Sequence, residues 1–169
     1  ESQERALTIT EENPCGYVML NENLSGETMG SFFDAYMREY LAMEADRFHA
    51  RNKKVLIHID GTLRGVLEKI ASTGIDCVDA ATPAPVGDVP VSELRDLAGP
   101  DLLILGGIPG AMFAPPFSAQ DMEKHVKEII REHKESGTFM LGVADQVPPD
   151  GDIQLVKMIS EIAEEYGRY

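Results

Sequence analysis

The segment Val55-Leu56-Ile57-His58-Ile59-Asp60-Gly61 decides the fold, because a run of branched apolar residues ends in an imidazole, a carboxylate and a glycine. Such a run is typical of a strand in a parallel sheet that is covered on both faces. Ligands bind just beyond the carboxyl ends of these strands, and His58 and Asp60 would point to the same side of an extended strand. His58 could be a base or a metal ligand, with Asp60 as second ligand or orienting partner. The structural alternative is a strand-end histidine followed by an aspartate that caps the next helix.

Length and charge limit the classes of protein that fit. A chain of 169 residues suits one domain with a core of its own. Its 15 basic and 29 acidic residues give a net charge of −14, which argues against nucleic acid or an anionic membrane as partner. Cys15 and Cys77 are too few for a disulfide framework, no stretch is as long and apolar as a membrane span, and the acidic start does not resemble a signal peptide. We expect a cytoplasmic protein.

Short apolar runs alternate with longer segments of helical period along the chain. The runs lie at 17–20, 55–59, 75–80, 102–105 and 138–143, which predicts five βα units. A long helix is expected at 29–51, with a core stripe made of Phe32, Tyr36, Tyr40, Met43 and Phe48. Residues 1–13 show no strong pattern and suggest a disordered arm or the remnant of a preceding element, whereas 14–169 form one domain.

In a parallel βα sheet, all loops that follow strands lie at one rim, so the chemistry should lie there too. The predicted rim carries many polar residues, although polar strand ends also occur for purely structural reasons. The glycine run at 106–110 favours a tight rim turn. His125 and His133 lie in a mixed sequence typical of a solvated helix, and the apolar segment Met112 to Phe117 is either a lid over a hydrophobic ligand or a plain turn.

Several motifs, in order, resemble the C-terminal half of the uroporphyrinogen decarboxylase superfamily. They are His58-Ile59-Asp60-Gly61, Gly74 to Asp79, Pro83 to Asp88, Leu105 to Ile108 and Gly142 to Pro149. The resemblance covers nearly the whole chain and implies a (β/α)8 barrel. Since a full barrel takes at least about 200 residues, we expect an α/β fold that is a partial TIM-type barrel, with about five C-terminal βα units and a parallel sheet.

The first chemistry that the resemblance implies is methyl transfer between corrinoid proteins and thiols such as coenzyme M. In that branch zinc is held by a His-x-Cys pair and by a second Cys after the last strand. His58 matches the histidine, Asp60 stands at the first Cys position, and Asp145 stands at the second unless the loop shifts to Ala144. Glu22 is a candidate fourth ligand. Zinc held by His58, Asp60, Asp145 and Glu22 would occupy a harder site than a thiolate site and would lower the pKa of a bound thiol.

These considerations give the expected site. The catalytic residues are His58, Asp60 and Asp145. The residues expected to bind substrate are Asn21, Asn23, Asp79, Thr82, Gly107 and Gln146.

The second chemistry is metal-free porphyrinogen decarboxylation. The resemblance implies that this branch uses an aspartate from an N-terminal half that is not in this chain, and a histidine in a Gly-His-Gly context where this chain reads Gly142-Val143-Ala144-Asp145. A substrate with several carboxylates also favours basic residues, whereas the rim is mainly acidic. We therefore rank metal-assisted methyl transfer first and decarboxylation second. A non-catalytic half-barrel module that needs a partner is the third hypothesis.

Half a barrel leaves sheet edges and apolar surface uncovered, which promotes association. We therefore expect either a homodimer or pairing with a separate N-terminal half. The expected substrate is a small molecule or a corrinoid protein.

Overall fold

The computed structural model describes residues 2–168 and contains five strands that alternate with helices. The elements are α1 (Ser2–Glu12), β1 (Tyr17–Leu24), α2 (Gly26–Met29), α3 (Phe33–Tyr36), α4 (Arg38–His49), β2 (Lys54–Ile59), α5 (Leu67–Ala71), β3 (Cys77–Ala81), α6 (Leu94–Ala98), β4 (Leu103–Pro109), α7 (Ala119–His133), β5 (Phe139–Ala144) and α8 (Gln154–Tyr166). Short 3₁₀ turns at Val91–Glu93 and Gly110–Phe113 precede α6 and follow β4.

The five strands form one sheet in which every pair is parallel and the order follows the chain, β1-β2-β3-β4-β5. Sequential parallel order is the arrangement of a barrel wall, because each helix returns the chain to the next strand position. The prediction of a partial TIM-type barrel with five βα units is confirmed. β1 and β5 stand at the two ends of the order, so each has one edge that no described strand covers.

Among the described elements, helices cover only one face of this sheet. Val55, Ile57 and Ile59 are fully buried beneath them, whereas Met19 is 42% and Met140 is 51% exposed on the other face. Side chains alternate between the faces of a strand, so Leu56 and His58 lie on the same uncovered face as Met19. The expectation that the 55–59 strand is covered on both faces is therefore wrong for this chain. We call the uncovered side the open face.

The predicted helix at 29–51 is interrupted and forms α2, α3 and α4. The expected core stripe is mostly wrong, because the buried face lies about one residue away from it: Phe32, Tyr36 and Met43 are exposed, and of the five only Phe48 is fully buried, whereas the neighbouring Phe33 is fully buried. The buried face of α4 is carried instead by Leu41, Ala45 and Phe48, which have helical spacing.

The segment before β1 is a helix that contacts α4. Arg47 of α4 forms ion pairs with Glu4, at 2.8 Å, and with Glu11 of α1. The Nζ atom of Lys53 donates to the carbonyl oxygens of Asn13 and Cys15. The sequence suggested a disordered arm or a remnant here, and the structure has a helix held at both of its ends.

Two further expectations are corrected around β4 and α7. Gly106 and Gly107 lie inside β4 and not in a turn. His125 and His133 are 6% and 3% exposed, so α7 buries them against the sheet where a solvated helix was expected. Ser118 caps α7 through a reciprocal capping box with Asp121. None of the described helices has the length and apolarity that a membrane crossing requires.

Candidate active site

A histidine–aspartate pair lies on the open face, near the carboxyl ends of β2 and β3. His58 and Asp79 are direct neighbours in the strand register, and Nδ1 of His58 lies 2.9 Å from Oδ2 of Asp79. Since a carboxylate accepts, Nδ1 carries the proton in the neutral imidazole, which leaves the Nε2 lone pair available. Nε2 has no hydrogen-bond partner among the described residues. The pair can take up a proton or bind a cation through Nε2 while Asp79 fixes the ring.

A β-bulge against β4 follows Asp79, which itself lies opposite His58 in regular register with β2. From Val78 to Ala81, β3 advances by three residues, whereas the paired segment of β4, from Ile104 to Gly106, advances by only two. The extra residue is taken up directly after Asp79, where Ala80 has a φ of +65°. Bulges occur next to active sites, where they re-aim a side chain, and an alanine in the left-handed region is uncommon.

Cys77 lies two residues before Asp79 on β3, so its side chain lies on the same open face. Burial raises the pKa of its thiol to about 12, and the charges of Asp79 and Asp76 add to the shift. Thiolate is the form that binds metals and acts as nucleophile. Cys77 is therefore a protonated, structural thiol beside the pair, not a substitute for the missing cysteines of a His-x-Cys site.

A cleft of about 400 Å³ lies beyond the strand ends and gathers four of the predicted residues. Asp60, Thr82, Asp145 and Gln146 all line it. Glu27, in the first turn of α2, also lines the cleft and was missed by sequence reasoning, which stopped at the end of β1. The sequence feature that could have identified Glu27 is its position directly after a parallel strand, where rim residues are expected. The wall at Gln146 depends on Gly110, because a Cβ there would lie 2.2 Å from the Gln146 carbonyl oxygen.

Asp145 follows β5 in an uncommon backbone conformation, with a φ of +69°. Aspartate tolerates the left-handed region better than most residues, because its short side chain can bond locally. The conformation turns the chain from β5 into the cleft wall, so Asp145 is both exposed and part of the lining.

Other predicted residues do not line the cleft. Asn21 lies on β1, on the side of the open face, and the exposed Asn23 has a φ of +48°. Glu22 does not line the cleft either, and its charge helps to raise the pKa of Glu44, a buried residue of α4. Gly107 is structural: its carbonyl accepts a hydrogen bond from His125, and a Cβ there would lie 2.8 Å from the Phe139 ring.

The described side chains do not assemble the metal site that the resemblance implies. Nowhere between residues 2 and 168 do three or more His, Cys, Asp or Glu side chains come together in a position to hold a metal ion. His58 has the carboxylate partner that orients a ligating histidine, but that partner is Asp79 and not Asp60 or Asp145. The described side chains of this chain therefore do not form a zinc site by themselves.

The cleft is acidic. Glu27, Asp60 and Asp145 contribute three carboxylates, and no lysine or arginine is among the described residues that line it. Arg64 lies nearby in sequence, but its guanidinium pairs with Glu93 at 2.8 Å. Such a lining favours neutral or cationic ligands over polyanions.

Comparison with known proteins gives a family and a fold. The family model described as uroporphyrinogen decarboxylase (URO-D) matches residues 12–166. Among solved structures, a methyltransferase from Methanosarcina mazei is similar, with a TM-score of 0.73 and 16% sequence identity over 97% of this chain. This chain spans only 47% of that methyltransferase. No curated protein sequence matches significantly.

Proposed function

The chain belongs to the uroporphyrinogen decarboxylase family, and on this premise we propose that it forms half of a methyltransferase that moves a methyl group between a corrinoid and a thiol. The observation that supports the proposal is the His58–Asp79 pair on the open face, in which Nε2 of His58 has no partner among the described residues. Asp60, two residues further along the chain, lines the cleft. The methyltransferase with a similar fold supports this branch of the family over the decarboxylases.

In this proposal His58 is the base that generates the methyl acceptor. The thiol transfers its proton to Nε2 of His58, and the carboxylate of Asp79 stabilises the imidazolium that results. The thiolate then attacks the methyl carbon, a carbon–sulfur bond forms, and the bond between the methyl group and the corrinoid breaks with its electron pair leaving on the corrinoid. The imidazolium returns its proton to solvent. Asp60 and Asp145 line the approach to this reaction.

Zinc would supply the same activation by lowering the pKa of the thiol. Because the donors of this chain do not gather around a common point, no step of the proposed reaction depends on a metal. The zinc set of His58, Asp60, Asp145 and Glu22 stays a prediction, and elemental analysis of the purified protein tests it.

The charge of the cleft argues against porphyrinogen decarboxylation. A porphyrinogen with several carboxylates would have to enter between Glu27, Asp60 and Asp145 without a basic partner in the lining. Like charges brought together at close range cost several kcal/mol (on the order of 1 to 5).

We also propose that the active protein is a complete barrel. A partner half, either a separate N-terminal half or a second copy, would cover the open face and enclose the His58–Asp79 pair. Enclosure excludes water and strengthens every electrostatic interaction inside the site.

The test is methyl transfer from methylcobalamin to coenzyme M, followed by the change in corrinoid absorbance. His58→Ala should lower kcat by roughly 100- to 1000-fold, the usual contribution of a positioned base. Asp79→Asn should have a smaller effect in the same direction, because it removes the acceptor that orients the ring. The matched control is His49→Gln, since His49 also pairs with an aspartate, Asp76 at 2.7 Å, but at the opposite end of the sheet.

Equal rates for the wild type and His58→Ala would overturn the assigned role of His58. Carbon dioxide release from a porphyrinogen, without methyl transfer, would instead support the decarboxylase branch. Failure of both reactions in a completed barrel would support a non-catalytic module.

A further inference from the structure

A second cavity, of about 390 Å³, lies outside the cleft, between α7 and the loop that follows β3. Its walls are mostly apolar and come from three separate segments. The apolar side chains Pro85, Pro90, Val91, Met112 and Phe117 come from the loop after β3 and from the segment after β4. The third segment is α7. The size lies within the range of small-molecule sites, which are apolar concavities with a few placed polar groups. The segment Met112 to Phe117, which the sequence left open as a lid or a turn, forms part of this wall.

His125 is the buried polar group of the cavity. It lines the cavity, is 6% exposed, and its Nε2 lies 2.7 Å from the carbonyl oxygen of Gly107. A carbonyl only accepts, so Nε2 carries the proton, and Nδ1 is a hydrogen-bond acceptor in the neutral ring. Burial lowers the pKa of His125, which favours this neutral form.

His133, the other buried histidine of α7, provides a comparison for the Nδ1 atom of His125. Its Nε2 makes the equivalent bond to a carbonyl, that of Val91 at 3.0 Å, but its Nδ1 is fully enclosed and has no partner among the described residues. Nδ1 of His125 also has no protein partner in the described chain, yet it is not among the fully enclosed atoms. That atom therefore keeps some accessible surface, and its residue lines the cavity.

We propose that this cavity binds a small aromatic alcohol, whose ring packs between Pro85 and Phe117 and whose hydroxyl donates to Nδ1 of His125. The side chain of Asp121 is engaged in the capping box with Ser118, so it does not compete for the hydroxyl. Asp121, Lys124 and Glu128 together give the lining two negative charges and one positive charge, so it does not favour an anionic ligand.

The cavity shares its walls with the cleft. The loop that contributes Pro85 and Pro90 also contributes Thr82 and Gly87 to the cleft, and Met112 belongs to the same 3₁₀ turn as Gly110. A ligand in the cavity would therefore contact two segments that also form part of the cleft wall. Binding at the two sites should be coupled, and the coupling is reciprocal.

Phenol is the probe, and anisole is its matched control, because anisole keeps the ring but has no donor. Phenol should bind about 3- to 10-fold more tightly than anisole, which is the worth of one net hydrogen bond. Phenol should also shift the Nδ1 resonance of His125 in ¹⁵N-histidine-labelled protein and leave that of His133 in place. His58→Ala should leave phenol binding unchanged, so this result is independent of the proposed methyl transfer.

Ala84→Phe should abolish binding, because Ala84 lines the cavity and a larger side chain there would fill it. Ala119→Phe is the control, since Ala119 is exposed on α7 outside the cavity. Equal affinities for phenol and anisole, an unmoved His125 resonance, or full binding by a folded Ala84→Phe protein would each overturn the proposal. The first two measurements need only the wild-type protein, so they decide the matter even where Ala84→Phe does not fold.

Discussion

Two histidine–aspartate pairs lie at opposite ends of the sheet and have different surroundings. At the amino end, Asp76 accepts hydrogen bonds from His49, Lys54 and the Val55 amide. Although burial opposes them, these donors hold the pKa of Asp76 below its usual range. At the carboxyl end, Asp79 has His58 as its one hydrogen-bond partner in the described chain. The first pair joins α4 to the strands, whereas the second leaves an imidazole nitrogen free for chemistry.

Glu44 is a carboxylate inside the core, and it provides a test of residue-level electrostatics. It is 2% exposed, and its Oε2 has no partner among the described residues. Burial raises the pKa of Glu44, a hydrogen bond with Tyr40 opposes the shift, and the charge of Glu22 adds to it. The folded protein thus holds this proton to a higher pH than the unfolded chain does. Ionisation of Glu44 therefore costs stability as the pH rises above the ordinary value of 4.5.

Glu44→Gln should raise the free energy of unfolding at pH 8 by roughly 1 kcal/mol, since it removes a buried charge and keeps an acceptor for Tyr40. The gain should shrink as the pH falls towards 4.5, where the wild-type carboxyl becomes neutral. Urea unfolding at several pH values measures the difference. Glu39→Gln, at an exposed position of the same helix, should change little at any pH. A pH-independent effect of Glu44→Gln would contradict the assignment.

Sequence reasoning found His58, Asp60, Thr82, Asp145 and Gln146, because each follows or ends an apolar run that reads clearly as a strand. It did not find that Asp79 is the partner of His58, although it selected both residues. That pairing depends on the register between β2 and β3, which no local pattern encodes. The face on which a side chain near a strand end lies depends on where regular pairing stops. The sequence alone therefore could not determine whether Glu22, the candidate fourth ligand, lies on the same face as His58.

At the scale of elements, strands were easier to predict than helices. The five apolar runs locate β1 to β5 to within a few residues because branched residues define them locally. In the helical region the apolar residues are dense enough to fit two neighbouring stripes, and the buried one contains Phe33, Leu41 and Ala45. The glycines Gly106 and Gly107 suggested a turn, but both lie inside β4. Neighbouring groups approach them so closely that a side chain would clash.

Gly106→Ala should destabilise the fold through the β3–β4 contact. A Cβ at Gly106 would lie 2.8 Å from both the backbone nitrogen and the oxygen of Ala81, which cannot move without disturbing the bulge. Gly137→Ala is the control, because Gly137 also has a positive φ, of +67°, but nothing lies within 4 Å of a Cβ there. We expect a loss of about 1 kcal/mol for the control and roughly 2 kcal/mol more for Gly106→Ala. Similar losses in denaturant unfolding would show that the bulge is not tightly packed.

At the scale of the whole molecule, the open face is where the half-barrel is incomplete. In the strand register Met19, Leu56, Cys77 and Leu103 follow one another across the open face, which forms the interior of a closed barrel. Exposed apolar surface with free parallel edges on either side favours association. The net charge of −14 opposes association between identical copies, so salt should strengthen it by screening.

The 169-residue chain, studied alone, should therefore self-associate through the open face, and more strongly as the salt concentration rises. Met140→Lys should shift the chain towards the monomer, because burial of this position in an interface would then require desolvation of the lysine charge. Val156→Lys makes the same chemical change at a residue of α8 that is 40% exposed, and it should leave association unchanged. Light scattering coupled to size-exclusion chromatography measures the mass of each variant. If Val156→Lys were the variant that produced monomers, the helical side would be the interface and the open face would need another explanation. If the wild type were monomeric at all salt concentrations, the open face would not drive self-association, and a separate N-terminal half would be the better candidate to complete the barrel.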